Sequence, residues 1–434
     1  MTTQFKAEVF QNAFLPQGAA EVNAIMTITA EGSLGAGSSG AGFSGEKKKI
    51  IGIIIDKSGS MEGGKIHAAK DALVRLIWML PADTSFFVIA GGETGDLISP
   101  TAKATSENRQ RAIAAIKRIK AVGGTCISTW LSQALQQFAA APGAIKQCIL
   151  LTDGENEKPD EPLLESMLNA CEGQFQCECR GVGSDWKVDQ LRNISSRLLG
   201  STDIITRPDL IEADFKQILQ NALTKEVSDV ALRLWTPIGS RIRFCKQVSP
   251  DILDLTARAR QPRPQVFDYP TGAWGKAESR DYHFCIEVKP GAVGDEMLAG
   301  RASLIVTSAG LENKIAEARI LAIWTDDESK STKIDRRVAH YTGQAELAQS
   351  IQEGLDARAR GEDEVATRLL GKAVRLAHES GNEATTKLLR KVVEVDNEEQ
   401  GTVRLKRQVA KEDAMALETR STKTARLTPA GGQK

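Results

Sequence analysis

Apolar runs that alternate with helical patterns organise the chain between residues 47 and 224. Strands are predicted by four apolar runs: Ile50–Ile55, Ser85–Ala90, Cys148–Leu151 and Cys177–Val182. Helices are predicted by apolar residues spaced three and four apart within residues 65–80, 107–121, 128–140, 162–171, 187–199 and 209–223. Because strands that alternate with helices are joined by right-handed crossovers, we expect an α/β domain, a doubly wound and mainly parallel sheet with helices on both faces.

On both sides of this domain the apolar residues recur at every second position, as in antiparallel strands. The alternation covers Val22–Ala30 before the domain, and Val230–Leu234, Tyr282–Val288 and Ala316–Trp324 after it. Two strand-like stretches within residues 1–30 are too few to be stable alone. We therefore expect them to join residues 225–327 in one antiparallel β-sandwich, into which the α/β domain is inserted. Residues 31–46, rich in Gly, Ser and Ala, predict a flexible linker.

The carboxyl-terminal part of the chain changes to helical spacing. Val365, Leu369, Ala373 and Leu376 form one apolar stripe, and residues 328–398 predict a helical hairpin or a three-helix region. Gly361 and Gly381 are placed to end helices. From residue 401 onward, eight Lys and Arg residues stand against three Asp and Glu residues. We therefore expect residues 399–434 to be a mobile basic tail.

Composition narrows the function classes. The 434 residues carry 56 Lys and Arg and 56 Asp and Glu, so net charge gives no attraction to nucleic acid or to a membrane surface. No apolar stretch has the length of a membrane span, and residues 1–18 lack the apolar core of a signal peptide. Seven cysteines, an odd number without regular spacing, suit a reducing compartment. We expect a cytoplasmic protein with no nucleic-acid partner and no membrane span.

Small oxygen-bearing side chains follow two of the predicted strands. Asp56, Ser58 and Ser60 come at alternate positions after the first apolar run, and Asp153 follows the third. Thr125 stands between them in the chain, directly after two glycines. Open α/β sheets bind ligands at the carboxyl ends of their strands. Hydroxyl and carboxylate oxygens are the ligands that a hard divalent cation prefers, so the three alternate residues Asp56, Ser58 and Ser60 indicate a candidate metal site.

In this order and context the five residues resemble the metal-ion-dependent adhesion site of von Willebrand factor A (VWA) domains of bacterial type. The resemblance implies that Ser58, Ser60 and Thr125 contact the ion directly, while Asp56 and Asp153 act through water. It implies Mg²⁺, with Mn²⁺ or Ca²⁺ as alternatives. It also implies a non-enzymatic scaffold for protein–protein interaction, since a partner's Asp or Glu can take the open coordination position.

Two other interpretations remain open for this region. Asp56 to Ser60 can be a plain turn whose hydroxyl caps the next helix. The stretch from Gly59 to Lys65 also approaches a phosphate-binding loop, although Ile66 stands where that motif needs Ser or Thr. The competing function is accordingly a metal-dependent phosphohydrolase or ATPase that uses the same strand ends. It would need a general base and cationic groups around the metal.

Two further features are weighed against plainer accounts. Cys171, Cys177 and Cys179 cluster in sequence, but zinc needs a fourth ligand, and buried cysteines acting as small apolar residues are favoured. Residues 418–426 place three threonines and one serine among basic residues. A phosphate there would suit a phosphopeptide-binding partner, whereas an unmodified solvated tail is the simpler expectation.

Overall fold

The structure, a computed structural model, describes residues 3–32, 48–308 and 311–427. These residues form two compact units. The α/β unit contains residues 48–228 and 272–276, and the flanking unit contains the rest of the described chain. From residue 33 onward the predicted linker lies outside the described residues, as do residues 428–434 of the predicted tail.

The strands and helices are numbered here in chain order. The strands are β1 (Thr3–Gln11), β2 (Phe14–Pro16), β3 (Glu21–Gly32), β4 (Lys49–Asp56), β5 (Ser85–Gly91), β6 (Gly95–Lys103), β7 (Ile145–Thr152), β8 (Gln176–Val182), β9 (Thr202–Ile205), β10 (Lys225–Val227), β11 (Val230–Trp235), β12 (Arg241–Ser249), β13 (Leu253–Asp254), β14 (Arg260–Arg263), β15 (Val266–Pro270), β16 (Trp274–Gly275), β17 (Ser279–Glu287), β18 (Glu296–Ser308), β19 (Leu311–Thr325), β20 (Val393–Asn397) and β21 (Thr402–Leu405). The helices are α1 (Gly64–Met79), α2 (Ser106–Lys117), α3 (Ile127–Ala139), α4 (Glu161–Cys171), α5 (Val188–Arg197), α6 (Ile211–Thr224), α7 (Glu328–Ser331), α8 (Arg336–Ala359), α9 (Asp363–Glu379), α10 (Glu383–Val392) and α11 (Lys411–Arg420).

The α/β unit is built on a six-stranded sheet of order β6-β5-β4-β7-β8-β9. All neighbouring pairs are parallel except β5 with β6. Strand β4 lies in the middle of the sheet, and every residue from Ile50 to Asp56 is buried. That burial explains why its sequence is a continuous apolar run rather than an alternating one.

Helices cover both faces of this sheet. On one face, Ile51, Ile53 and Ile55 of β4 pack into a cluster with apolar residues of α1, α2 and α6. On the other face, Phe138 of α3 meets Phe87 of β5 edge to face at 4.8 Å. The predicted fold class, a mainly parallel sheet between helical layers, is confirmed.

Two strands of this sheet were not predicted. Strand β6 is an antiparallel edge strand in which Ser99 alone is buried. It contains Pro100, which an edge strand tolerates because its outer side pairs with no other strand. Strand β9 is only four residues long. Neither gives a strong apolar period, so pattern reasoning had little to detect in them.

Two further sheets make up most of the flanking unit. Their orders are β1-β3-β17-β12-β13 and β14-β15-β11-β18-β19-β2. Strand β3 pairs with β17, so the amino-terminal strands join strands that lie more than two hundred residues later in the chain. The α/β unit is therefore inserted between β3 and β11, as the antiparallel patterns on both sides predicted.

Helix α8 begins at an N-cap and covers one of these sheets. The Asp335 side chain accepts hydrogen bonds from the N–H groups of Arg337 and Val338. Val338 and Tyr341 of this helix then pack against Ile25 and Val248. Since the sheet is covered here, β17 is buried along nearly its whole length instead of alternating as expected.

The helical region ends differently from its prediction. The expected helices are present as α8, α9 and α10, and Gly361 and Gly381 follow helix ends with φ of 76° and 65°, as predicted for helix-ending glycines. After Val392, however, the chain forms the hairpin of β20 and β21, which is antiparallel. The β-branched residues of this segment favour a strand once a partner is available.

The expectation of a mobile tail is wrong for residues 402–427. Helix α11 places Leu417 in a buried cluster with residues of α8, α9 and α10. Beyond it, the backbone of Lys423 forms an isolated antiparallel β-bridge with that of Asp251, and the Thr424 hydroxyl donates to the Val248 carbonyl at 2.7 Å. The prediction relied on the surplus of basic residues and overlooked the short apolar stretch Met415 to Leu417. Burial of this stretch orders the segment.

This burial bears on phosphorylation of residues 418–426, which the sequence analysis gives as the alternative to an unmodified tail. Thr419 and Ser421 are both buried, 2% and 3% exposed. A kinase would therefore have to unfold this segment before reaching them. The phosphopeptide-binding partner remains a prediction, and the structure gives it no support at these two positions.

Among the described residues, no helix combines the length and the apolar character that crossing a membrane requires.

Replacing Leu417 tests whether the carboxyl-terminal segment is part of the folded core. Leu417→Ala should lower the free energy of unfolding by about 2–5 kcal/mol, because it leaves a cavity among packed side chains. Leu311→Ala is the control, since Leu311 is 71% exposed and belongs to the same unit; its effect should stay within about 0.5 kcal/mol. Urea unfolding followed by circular dichroism measures both. Equal stability of the two variants would contradict the folded assignment.

Candidate metal centre

The candidate residues lie at one edge of the α/β sheet, where β4 and β7 end. Asp56 is the last residue of β4, and Asp153 directly follows the end of β7. Because the two strands are parallel neighbours, their carboxyl ends meet at the same edge. Thr125 reaches this edge from the loop between α2 and α3.

Asp56 is held by hydrogen bonds to both of its carboxylate oxygens. Oδ1 accepts from the Ser58 N–H at 2.6 Å, which closes a tight turn after the strand. Oδ2 accepts from the Thr152 hydroxyl at 2.5 Å. Asp56 is fully buried, so its orientation is set from two sides before any ligand binds.

The two serines continue the site towards Asp153. The hydroxyl oxygens of Ser58 and Ser60 are 3.0 Å apart, and Ser60 Oγ donates to Asp153 Oδ1 at 2.6 Å. Neighbouring oxygens in a magnesium octahedron with bonds of about 2.1 Å are also about 3 Å apart. The spacing of these oxygens therefore suits a small divalent ion.

The loop that carries Thr125 is fastened by backbone contacts. The Gly59 N–H donates to the Gly123 carbonyl at 2.9 Å, and the Glu157 N–H donates to the Thr125 carbonyl at 2.9 Å. A Cβ added to Gly124 would lie 1.6 Å from Glu157 Oε1, so any larger residue there would displace the Glu157 side chain. Gly123 has a φ of 91°, a backbone conformation that favours glycine.

Gly154 marks the point where the side chains converge. A Cβ added to it would lie 3.3 Å from Thr125 Oγ1, 3.4 Å from Ser60 Oγ and 3.9 Å from Asp56 Oδ2. Oxygens from three loops therefore surround one small space. The structure brings all five predicted residues together, and the hydroxyl and carboxylate donor set fits a hard cation. That they bind a metal remains a prediction.

Three residues outside the predicted ligand set also contact the candidate residues. Thr152 donates to Asp56, Lys65 Nζ lies 2.6 Å from Asp153 Oδ2, and Glu157 Oε1 accepts from the Thr125 N–H at 3.3 Å. Because Thr152 directly precedes the candidate ligand Asp153, its place near the site could have been inferred from the sequence. Lys65 and Glu157 contact the site with long side chains from other loops, and sequence spacing does not predict such contacts.

Burial makes the charge of Asp56 unfavourable. Desolvation is the main cause that raises the pKa of this carboxyl above its ordinary value of 3.8, and the nearby Asp153 charge raises it further. The hydrogen bonds from Ser58 and Thr152 oppose this shift in part. A cation bound beside Asp56 would remove the disadvantage.

The cysteine cluster is a separate feature of the same unit. Cys177 and Cys179 are fully buried, with their sulfurs 3.9 Å apart, and burial raises the pKa of the Cys171 thiol to about 12. Such thiols stay protonated and unreactive.

Within the described part of the chain, no group of three or more His, Cys, Asp or Glu side chains is placed to hold a metal. The hydroxyl side chains of Ser and Thr are not among these four types.

Comparison with known proteins identifies the fold family. The family model "von Willebrand factor type A domain" matches residues 50–204, and "von Willebrand factor type A C-terminal domain" matches residues 375–421. A solved structure described as von Willebrand factor type A from Catenulispora acidiphila is 44% identical, covers 98% of each chain and superposes with a TM-score of 0.91. The chain belongs to the von Willebrand factor type A (VWA) family.

Two other relatives extend the comparison. The VWA2 paralog of ArnB from Sulfolobus acidocaldarius, 14% identical, covers 97% of this chain and 98% of its own with a TM-score of 0.57, which shows a shared fold. An uncharacterized protein of Synechocystis is 32% identical over 48% of this chain. The match spans only 50% of that Synechocystis protein's length. The VWA family commonly mediates protein–protein interactions, and this chain contains a domain of that family and has a bacterial-type homologue.

Replacing Asp56 by its uncharged isostere tests the cost of the buried carboxylate. In the presence of a chelator at pH 7, the free energy of unfolding of Asp56→Asn should exceed that of wild type by on the order of 1 kcal/mol, because the amide avoids a buried charge. The amide can keep both contacts, since the Thr152 hydroxyl can turn to accept. The folded state binds the Asp56 proton more tightly than the unfolded state. The difference in free energy of unfolding between the variant and wild type should therefore decrease as the pH falls from 7 towards 4.

Asp214→Asn is the control for this measurement. Asp214 Oδ2 lies 2.9 Å from Nε of Arg180, whose side chain is 8% exposed, so an amide there removes a carboxylate that stabilises a buried cation. This variant should be destabilised at pH 7, because the Arg180 guanidinium loses a counter-charge. If urea unfolding showed Asp56→Asn to be as destabilised as Asp214→Asn, the buried charge of Asp56 would not be a cost.

Proposed function

We propose that this VWA protein is a divalent-metal-dependent interaction scaffold. The convergence of three hydroxyls and two buried carboxylates at the ends of β4 and β7 carries the proposal. Ser58, Ser60 and Thr125 would contact the ion, and Asp56 and Asp153 would act through water, as the family resemblance implies. Mg²⁺ is the proposed ion, with Mn²⁺ and Ca²⁺ as alternatives that the same oxygens accept.

A bound cation would supply an open coordination position for an outside carboxylate oxygen. The protein's own residues prepare that position. Ser58 and Thr152 fix the orientation of Asp56, and Glu157 fixes the Thr125 loop, so little reordering accompanies binding. The proposed partner is therefore a protein that presents an Asp or Glu side chain.

Binding is proposed rather than catalysis because the cationic side chains beside the site already have carboxylate partners. Lys57 Nζ lies 3.4 Å from Asp96, and Lys65 Nζ lies 2.6 Å from Asp153. A phosphate-binding loop would place a magnesium-binding Ser or Thr hydroxyl at position 66, but this residue is Ile66, which is buried.

We also propose a cytoplasmic location, because the cysteine pattern in the sequence suits a reducing compartment.

Metal binding is tested by titrating the full chain with Mg²⁺ in a calorimeter. Wild type should bind, and Ser60→Ala or Thr125→Ala should bind at least about tenfold more weakly, because each removes a proposed ligand. Thr94→Ala is the matched control, since its hydroxyl is exposed and bonds to Asp96 at 2.8 Å on a neighbouring loop. A wild-type chain that takes up no Mg²⁺, Mn²⁺ or Ca²⁺ would overturn the proposal.

The scaffold role is tested separately, by affinity capture from a lysate of the native host. The intact chain with Mg²⁺ should retain a protein that is lost both on chelation and with Thr125→Ala. Replacing a single Asp or Glu of that protein should abolish its capture, because the proposed contact is one carboxylate. Retention of the same proteins under all conditions would show that the site does not hold them.

A further inference from the structure

Lys65 occupies a position that helix electrostatics disfavours. It is the second residue of α1, whose first turn contains no acidic residue. The N-terminus of a helix carries partial positive charge, so a lysine there is repelled unless another group holds it. The structure places that group on a different loop.

The lysine ammonium lies between two carboxylates that differ strongly in exposure. Lys65 Nζ is 2.6 Å from Asp153 Oδ2 and 3.8 Å from Asp185 Oδ2. Asp153 is fully buried and also accepts from Ser60, whereas the Asp185 side chain is 67% exposed on the loop after β8. The lysine itself is 26% exposed, so it reaches from the surface into the candidate metal centre.

Within the centre, Lys65 balances one of two buried negative charges. Asp56 and Asp153 together carry two charges when ionised, and among the residues described there Lys65 is the cation that contacts either one. A divalent ion at the proposed site would use the same Asp153 carboxylate through water. The lysine ammonium and a divalent ion, both close to this buried carboxylate, would repel each other, so each weakens the binding of the other.

We propose that Lys65 is a built-in counter-cation that competes with the divalent metal for Asp153 and shifts towards Asp185 when the metal binds. The inference rests on the proposed metal-dependent function and names the residue that sets its metal affinity. Asp185 is already within ion-pair distance, so the exchange needs only a side-chain movement. Because breaking the contact between Lys65 and Asp153 opposes metal uptake, the resident lysine weakens metal binding.

Calorimetric titration of the full chain with Mg²⁺ alone tests the competition. Lys65→Met should bind Mg²⁺ about tenfold more tightly than wild type, since the competing charge is removed while the side-chain length is kept. Without metal, the same variant should melt at a lower temperature, because Asp153 loses its counter-charge. Its melting temperature should then rise more on adding Mg²⁺ than that of wild type.

Two further variants separate this exchange from a general charge effect. Lys187→Met removes a cation of the same unit that pairs with Glu155 at 2.9 Å and touches neither candidate aspartate. It should change Mg²⁺ affinity by no more than about twofold. Asp185→Asn should weaken Mg²⁺ binding more in wild type than in the Lys65→Met background, because only a lysine needs the second carboxylate.

The outcomes distinguish this inference from the function beneath it. If wild type and Lys65→Met bind Mg²⁺ equally, the competition is overturned while the metal site stands. If neither protein binds any divalent ion, both the metal-dependent function and the competition by Lys65 are overturned. The competition would also be overturned if Lys187→Met bound Mg²⁺ more tightly to the same degree as Lys65→Met. Should Lys65→Met fail to fold, Lys65→Gln, which keeps a hydrogen-bond donor for Asp153, must show the same tightening.

Discussion

The burial of two carboxylates at the end of a parallel sheet is the constraint on which this site depends. Asp56 and Asp153 are both fully buried, and ionised groups in such a place are unfavourable unless they are paired or coordinate a metal. The hydroxyls of Ser60 and Thr152 and the ammonium of Lys65 meet part of this demand. The proposal of a cation site rests on the negative charge that these contacts leave.

The sheet makes this burial possible. Strand β4 is apolar on both faces, so helices can cover it from both sides and leave its end inside the unit. Its neighbour β7 runs parallel in register, which brings Asp153 to the same edge without any sequence proximity. The Thr125 loop is then fastened through Gly123 and Glu157, so the third loop is positioned by backbone hydrogen bonds.

The flanking unit shows how non-local pairing can extend a fold beyond what its parts could support. The amino-terminal strands pair with β17, and α8 covers the resulting sheet from one side. The carboxyl-terminal segment then contributes Leu417 to the helical cluster, and its backbone forms a β-bridge at Lys423 with Asp251. Segments from both ends of the described chain are thus ordered by contacts to residues far away in sequence.

The sequence by itself determined the α/β fold class and the five candidate ligands. Buried strands, amphipathic helices and the oxygens after β4 and β7 leave local patterns, and parallel strands place their ends together by necessity. Only the tertiary structure decided the edge strand β6, the order of residues 402–427 and the contact of Lys65 with Asp153. These depend on which surfaces and side chains meet after folding. A basic segment or a misplaced helix-terminal lysine is unfavourable on its own and is stabilised by a partner that adjacent residues do not reveal.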